Sequence, residues 1–383
     1  MERMLPRIAY FPDSYHAVNG VAHTSRNFVA YAERKGVPFL CVRAGEKTAM
    51  VEHAGEVRAL ELERSVWSIP MERDLEFDLL FARHGARVER TLKEFRPDVI
   101  HISGPSEFGM LGAYFAWKLR VPLVASWHTN VHEYAARRMH WAPQTAQRWM
   151  EEGVLEATAR FYRLARVLYA PNVELCALLE RKTGRPCHLM QRGVETEVFT
   201  PAKRTRAAGM LRLGYVGRFS VEKNVALLPR IDAGLRARGV AVEWAVIGHG
   251  AEEAQLREKL SDAAVLGVLR GEDLARAYAD MDLFVFPSHT DTFGNVVLEA
   301  LASGVPAIVT PDGGPAHIVQ EGVTGRVVED AGFAGVIAEL ATDQVGLARM
   351  RVAAREYALG CSWDSVFDRV VGAYPVGGSE SMS

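Results

Sequence analysis

Two short stretches of this 383-residue chain gather side chains that could do chemistry. In the first, Gly214-Tyr215-Val216-Gly217-Arg218 runs on to Lys223 and Asn224, in a turn between an apolar run and a helical one. A guanidinium fork and an ammonium point charge at that spacing suit a group with two or more negative oxygens, such as a diphosphate, and glycine lets it approach the backbone closely. In the second, Asp291 stands just before a helix that opens near Gly294, and Glu299 lies inside that helix. Free amides at such a helix start would hold an anion. Plainer readings stay open. Arg218 and Lys223 could be solvated loop charges, Asp291 a solvated acid or the helix cap, and Glu299 an exposed helix residue.

Two weaker signals lie in the first half. The loop Asp13 to Val21 enters a helix at Gly20, where a missing side chain lets backbone amides meet a phosphate or sugar; a simple helix-entry turn would look the same. Trp127-His128-Thr129-Asn130 ends an apolar run. His128, with an unperturbed pKa of about 6.5, can donate to or accept from a sugar hydroxyl. His128, His132, Glu133 and His140 invite a metal reading, but their order is not HExxH, and no metal or other cofactor is expected.

These residues need a scaffold, and the pattern supplies one. Short apolar runs alternate with amphipathic ones: strands at Ile8–Phe11, Phe39–Val42, Asp98–Ile102 and Pro122–Ser126, with helices over 21–35, 75–95 and 110–119. That is the α/β pattern of a parallel sheet with crossover helices, which binds ligands at strand carboxyl ends. Residues 200–210 turn basic and lose periodicity, which reads as a linker. A second alternating series follows, with strands at 211–216, 243–247, 283–286 and 307–310 and helices at 224–238, 252–260, 274–279 and 296–303. Two Rossmann-like domains are expected, residues 1–200 and 207–360, facing across a cleft, with a last helix over 363–376 docking back on the first.

Composition narrows the function. Hydrophobic residues make up 49% and charged residues 24%, and 45 Lys+Arg against 47 Asp+Glu give a net charge of -2, so nucleic acid is not an expected partner. Four cysteines form no CxxC pair, no apolar run spans a bilayer and no secretory leader is evident, so a cytoplasmic protein is expected. No Gly-x-Gly-x-x-Gly with an acidic partner follows the first strand, which argues against a dinucleotide dehydrogenase.

The segment from Ser288 to Pro306, with its acids at Asp291 and Glu299, resembles the Glu-x7-Glu region of family 4 retaining glycosyltransferases, and the likeness extends over nearly the whole chain. The resemblance implies the GT-B fold and metal-independent transfer of a hexose from a UDP- or GDP-linked sugar to a hydroxyl acceptor. It implies that Glu299 binds the donor ribose and Asp291 the sugar, with Phe293, Gly294, Asn295 and Val296 around it. Aspartate rather than glutamate at 291 is similar to the glycolipid mannosyl- and sulfoquinovosyl-transferase branch. Arg218 and Lys223 match the family's Gly-Arg-x4-Lys and would take the pyrophosphate. Asn19-Gly20 stands where the family usually has Gly-Gly. His128 would lie beside the donor sugar and acceptor, Pro171-Asn172 and Arg192 on the cleft floor, and Leu269 where backbone groups hold the base. In Gly313-Gly314-Pro315-Ala316-His317, His317 replaces the usual acid.

Between Tyr134 and Ala170, six arginines interleave with aromatics. This could be a face that rests on anionic lipid at the inner side of a membrane, as suits glycolipid or polysaccharide synthesis, or a solvated helix pair with buried aromatics. Two other functions use the same features: a nucleotide-sugar epimerase or hydrolase, and a non-catalytic sugar-nucleotide-binding protein.

Overall fold

Continuous apolar runs suit strands covered on both faces, and here they form two parallel sheets. The computed structural model describes residues 5–17, 20–72, 75–78, 80–127, 144–207, 209–291 and 293–375. The chain divides into residues 1–192 with 366–383, and residues 193–365.

The first unit contains β1 (Ile8–Phe11), β2 (Phe39–Gly45), β3 (Ala49–Glu52), β4 (Val57–Glu63), β5 (Ser68–Glu72), β6 (Leu75–Asp78), β7 (Val99–Ile102), β8 (Leu123–Ser126), β9 (Val167–Ala170) and β10 (Cys187–Leu189). Its main sheet has the order β10-β9-β8-β7-β1-β2-β4-β3, parallel except for the antiparallel edge pair β3/β4, while β5 and β6 form a separate hairpin. The crossovers include α1 (Gly20–Lys35), α2 (Gly85–Phe95), α3 (Glu107–Leu119), α4 (Gln144–Tyr162) and α5 (Val173–Thr183).

The second unit contains β11 (Leu211–Val216), β12 (Val242–Ile247), β13 (Ala264–Val265), β14 (Leu283–Phe286), β15 (Ala307–Val309) and β16 (Gly325–Val327), all parallel in the order β13-β12-β11-β14-β15-β16. Its helices are α6 (Leu227–Arg236), α7 (Glu253–Lys259), α8 (Gly271–Ala279), α9 (Asn295–Ala302), α10 (Pro315–Ile318), α11 (Phe333–Thr342) and α12 (Gln344–Gly360). Strand order reverses between β1 and β7 in one sheet and between β11 and β14 in the other. Loops leaving neighbouring strands in opposite directions open a crevice there, where open α/β sheets take ligands.

Three sequence expectations are corrected. The helix expected over 75–95 is β6, a turn and α2; Asp78, at the end of β6, holds the turn by accepting from the amides of Ser65 and Leu80 and from Arg83. The linker expected at 200–210 is fastened to the second unit: Arg204 and Arg206 both bond Asp282, and Asp280 takes the amides of Thr205 and Arg206. The helix expected from 224 begins only at Leu227, because Asn224 adopts a left-handed backbone with φ 52°.

The last helix, α13 (Trp363–Gly372), begins in the second unit, and its residues from Val366 belong to the first. Phe367 stacks on Phe28 with ring centroids 4.4 Å apart, and Tyr31 donates to Asp368 at 2.8 Å. Beyond the helix, Tyr374 meets Nδ1 of the fully buried His101 at 2.6 Å, while Nε2 of that ring meets Ser126, also at 2.6 Å. Both ring nitrogens of a buried imidazole are thus satisfied.

Candidate functional site

Two loops meet at the reversal between β11 and β14. The loop after β11 carries Arg218 and Lys223, and the loop after β14 carries Asp291. They are laced together at Glu222, whose carbonyl accepts from Thr290 Oγ1 at 3.0 Å and Ser288 Oγ at 3.4 Å. Lys223 Nζ then reaches Asp291 Oδ2 at 2.6 Å, both side chains about one-fifth exposed, with the ammonium 5.8 Å from the Phe286 ring centroid. The other oxygen, Asp291 Oδ1, accepts from the amides of Phe293 at 3.1 Å and Gly294 at 2.7 Å. Burial alone would raise this carboxyl's pKa. The Lys223 hydrogen bond and charge, with the two amides, outweigh it and hold the pKa below its ordinary value.

Asp291 is therefore tied to the helix entry and to a cation at once. The Gly294 amide, expected to be free for a ligand, is already taken. Gly294 has φ 86° and caps α9, so the amides of Asn295 and Val296 are the first of the helix without an intrahelical carbonyl to bond. Behind this loop lies the turn at Gly313-Gly314. Gly314 N donates to the Asp291 carbonyl at 2.8 Å, and Gly313, at φ 75°, leaves no room for a side chain: an added Cβ would fall 2.5 Å from the Asp291 carbonyl oxygen. His289 braces the same region, its ring nitrogens 2.8 Å from Asp312 and 3.0 Å from Asp330. The hydrogen bond to Asp312, with the Asp330 charge, raises its pKa. Asn224, next to Lys223, also bonds Asp330.

Arg218 is not part of this knot. Its guanidinium is 70% exposed and pairs with Glu222 at 3.2 Å, an arrangement an incoming anion can replace at low cost, because surface pairs are weak. Glu299 sits deeper, on α9. Its Oε2 accepts from the buried Tyr278 hydroxyl at 2.9 Å. Burial pushes the Glu299 carboxyl up to about 7; the Tyr278 hydrogen bond opposes this and the nearby Glu195 charge adds to it. Leu269 is half-buried just before α8, Phe293 and Val296 pack against the core, and Asn295 is exposed.

The first unit brings Gly20 and Arg192 together. Gly20 opens α1, and an added Cβ there would fall 2.1 Å from Nη2 of Arg192. The group lying against this glycine in the structure is a guanidinium, at the end of a helix whose dipole is positive. At the reversal between β1 and β7, Asp13 accepts from Ser106 Oγ, and its amide bonds Ser103 Oγ at 2.6 Å. Burial pushes the Asp13 carboxyl up to about 6, against the lowering effect of Ser106.

Sequence reasoning missed Asp13, Tyr278 and His289 as site residues. An acid two positions beyond a fully apolar strand was the available signal for Asp13; Tyr278 reads as an ordinary core residue of α8. His128 lies outside the described residues, as do His132, Glu133, His140 and the first part of the arginine-rich stretch. Among the described residues, no helix is long and apolar enough to cross a membrane.

Comparison with known proteins is consistent with this geometry. Residues 18–198 match a family profile described as "Glycosyltransferase Family 4", and residues 211–343 one described as "Glycosyl transferases group 1". The chain is 33% identical over 302 residues to a GDP-mannose-dependent alpha-mannosyltransferase of Mycobacterium tuberculosis, covering 75% of each chain. It is 27% identical to a sulfoquinovosyl transferase of Arabidopsis thaliana, covering 88% of this chain and 66% of that one. Among solved structures, a sucrose-phosphate synthase from Thermosynechococcus elongatus superposes with a TM-score of 0.66 at 19% identity, over 96% of this chain and 99% of that one. The fold is that of the GT-B glycosyltransferases.

Proposed function

Because the chain belongs to glycosyltransferase family 4, we propose that it transfers a hexose, with retention of configuration and without a metal ion, from a nucleoside diphosphate sugar to a hydroxyl acceptor. The donor is GDP-mannose. That choice is supported by the relative that depends on GDP-mannose, which matches over three-quarters of both chains.

The observation that carries the reading is the meeting of Lys223 and Asp291 across the reversal of the second sheet. A cation and an anion side by side at strand carboxyl ends suit a ligand with a charged diphosphate and a polar sugar. Arg218 and Lys223 stabilise the departing diphosphate, with Arg218 exchanging Glu222 for phosphate oxygens. Asp291 and the amides of Asn295 and Val296 hold sugar hydroxyls, and Glu299 accepts from the ribose. Leu269 flanks the base. In the first unit, the Arg192 guanidinium beside the helix N-terminus at Gly20 suits an anionic group, and His128 suits a sugar hydroxyl.

No carboxylate is assigned as a nucleophile. The bond from the anomeric carbon to the phosphate oxygen breaks first, giving a glycosyl cation and the diphosphate. The acceptor oxygen then bonds that carbon from the same face, and its proton passes to the departed phosphate oxygen. Neutralising the leaving group lowers the barrier, and such preorganised charge contributes several kcal/mol in characterised enzymes.

The test is incubation with GDP-mannose, UDP-glucose and a panel of lipid, glycan and small-molecule hydroxyl acceptors, with the product's anomeric configuration read by NMR. An α-mannoside formed only when acceptor is present supports the reading. An inverted product, or equal consumption of donor without acceptor, overturns it.

A further inference from the structure

Tyr278 lies on α8, fully buried, and its ring is set by two neighbours. The Phe199 ring meets it edge-on at 5.6 Å and 86°, and the Phe284 ring lies 5.7 Å away. Phe199 is fixed in turn, because its amide and that of Val198 both bond the Glu195 carbonyl. So held, the phenol has one hydrogen-bond partner among the described residues, Glu299 Oε2 at 2.9 Å. Glu299 Oε1 has none among them, and the residue keeps partial exposure.

A carboxylate that receives a vicinal diol must be ionised and must keep one oxygen turned to the ligand. Burial works against ionisation here, and so does the charge of Glu195 from the neighbouring segment. Tyr278 is the group that works for it, by donating to the anion. Tying Oε2 also selects one carboxylate rotamer before any ligand arrives, and this lowers the ordering cost of binding.

We propose that Tyr278 is a positioning residue for donor recognition: its rigidly packed hydroxyl anchors one oxygen of Glu299 and thereby presents the other to the ribose hydroxyls of the nucleotide. The proposal rests on the assignment of Glu299 to the ribose.

Calorimetric titration of GDP and 2′,3′-dideoxy-GDP, with UDP and its dideoxy form in parallel, into wild-type protein, Tyr278→Phe and Glu299→Gln separates the two assignments. The wild type should prefer the hydroxylated nucleotide, and Glu299→Gln should erase most of that preference. Tyr278→Phe should weaken GDP about tenfold, the scale of one hydrogen bond to a charged group, and leave dideoxy-GDP unchanged. The dideoxy ligand also reports whether the site is intact in the variant. Repeated across pH 5 to 9, the ribose preference should vanish toward acid in the wild type as Glu299 takes up a proton. In Tyr278→Phe it should vanish at a higher pH. If Glu299→Gln keeps the full preference, the ribose assignment falls, and the proposal with it. If Glu299→Gln erases it while Tyr278→Phe leaves it untouched, or weakens both ligands alike, the positioning role alone is overturned.

Discussion

Replacing Lys223 by alanine removes the cation from the 2.6 Å pair with Asp291 and leaves a half-buried carboxylate held only by the amides of Phe293 and Gly294. A hydrogen bond between charged groups is worth about 1.5–3 kcal/mol, and the residual exposure of both partners favours the lower half, so the loss is about 2 kcal/mol. For a unit the size of residues 193–365, that lowers Tm by about 4–8 °C. Transfer should suffer far more than stability, by about 10²–10³-fold in kcat, because the cation is also assigned to the leaving diphosphate. The double variant Lys223→Ala/Asp291→Asn separates the roles. A neutral amide needs no counter-ion, so most of the lost Tm should return while transfer stays impaired. Thermal melts and initial rates with donor and acceptor measure both. Lys223→Ala with the expected Tm loss but transfer within about threefold of wild type would show a purely structural lysine and refute the reasoning.

Gly20→Ala should reduce kcat/KM about tenfold by moving the Arg192 guanidinium, which an added Cβ would meet; steady-state rates check it. Tyr374→Phe removes the hydroxyl that meets Nδ1 of buried His101 and should cost about 1 kcal/mol, read as a lower Tm or denaturant midpoint. Asp13 has its folded-state pKa raised to about 6, so the stability its protonated form contributes is fully present below its ordinary pKa near 4 and is lost as pH rises through about 6. The Tm of Asp13→Asn should therefore gain on the wild type between pH 4 and 7, and a gap that stays constant across that range would contradict this.

The sheets were legible because their central strands are continuous apolar runs, as at Leu283–Phe286, and a strand covered on both faces of a parallel sheet reads that way. Strands such as Ala49–Glu52 and Gly325–Val327, which alternate or run short, carry little signal of their own and are fixed by their neighbours. The basic stretch after Thr200 looked like a linker because its fasteners, Asp280 and Asp282, lie far along the sequence. In the site, the residue types of Arg218, Lys223, Asp291 and Glu299 announced themselves. Their pairing did not: the Lys223 to Asp291 contact depends on the Glu222 carbonyl catching two hydroxyls from the other loop, and Tyr278 carries no local mark that distinguishes it from a core tyrosine.

The most direct test compares GDP with guanosine in calorimetric titrations of the wild type and the Arg218→Ala/Lys223→Ala variant. The account predicts that the wild type binds GDP at least about 10²-fold more tightly than guanosine, and that the variant loses nearly all of this difference while its affinity for guanosine holds. Equal GDP affinity in the two proteins, or a wild type that binds GDP no better than guanosine, would contradict it.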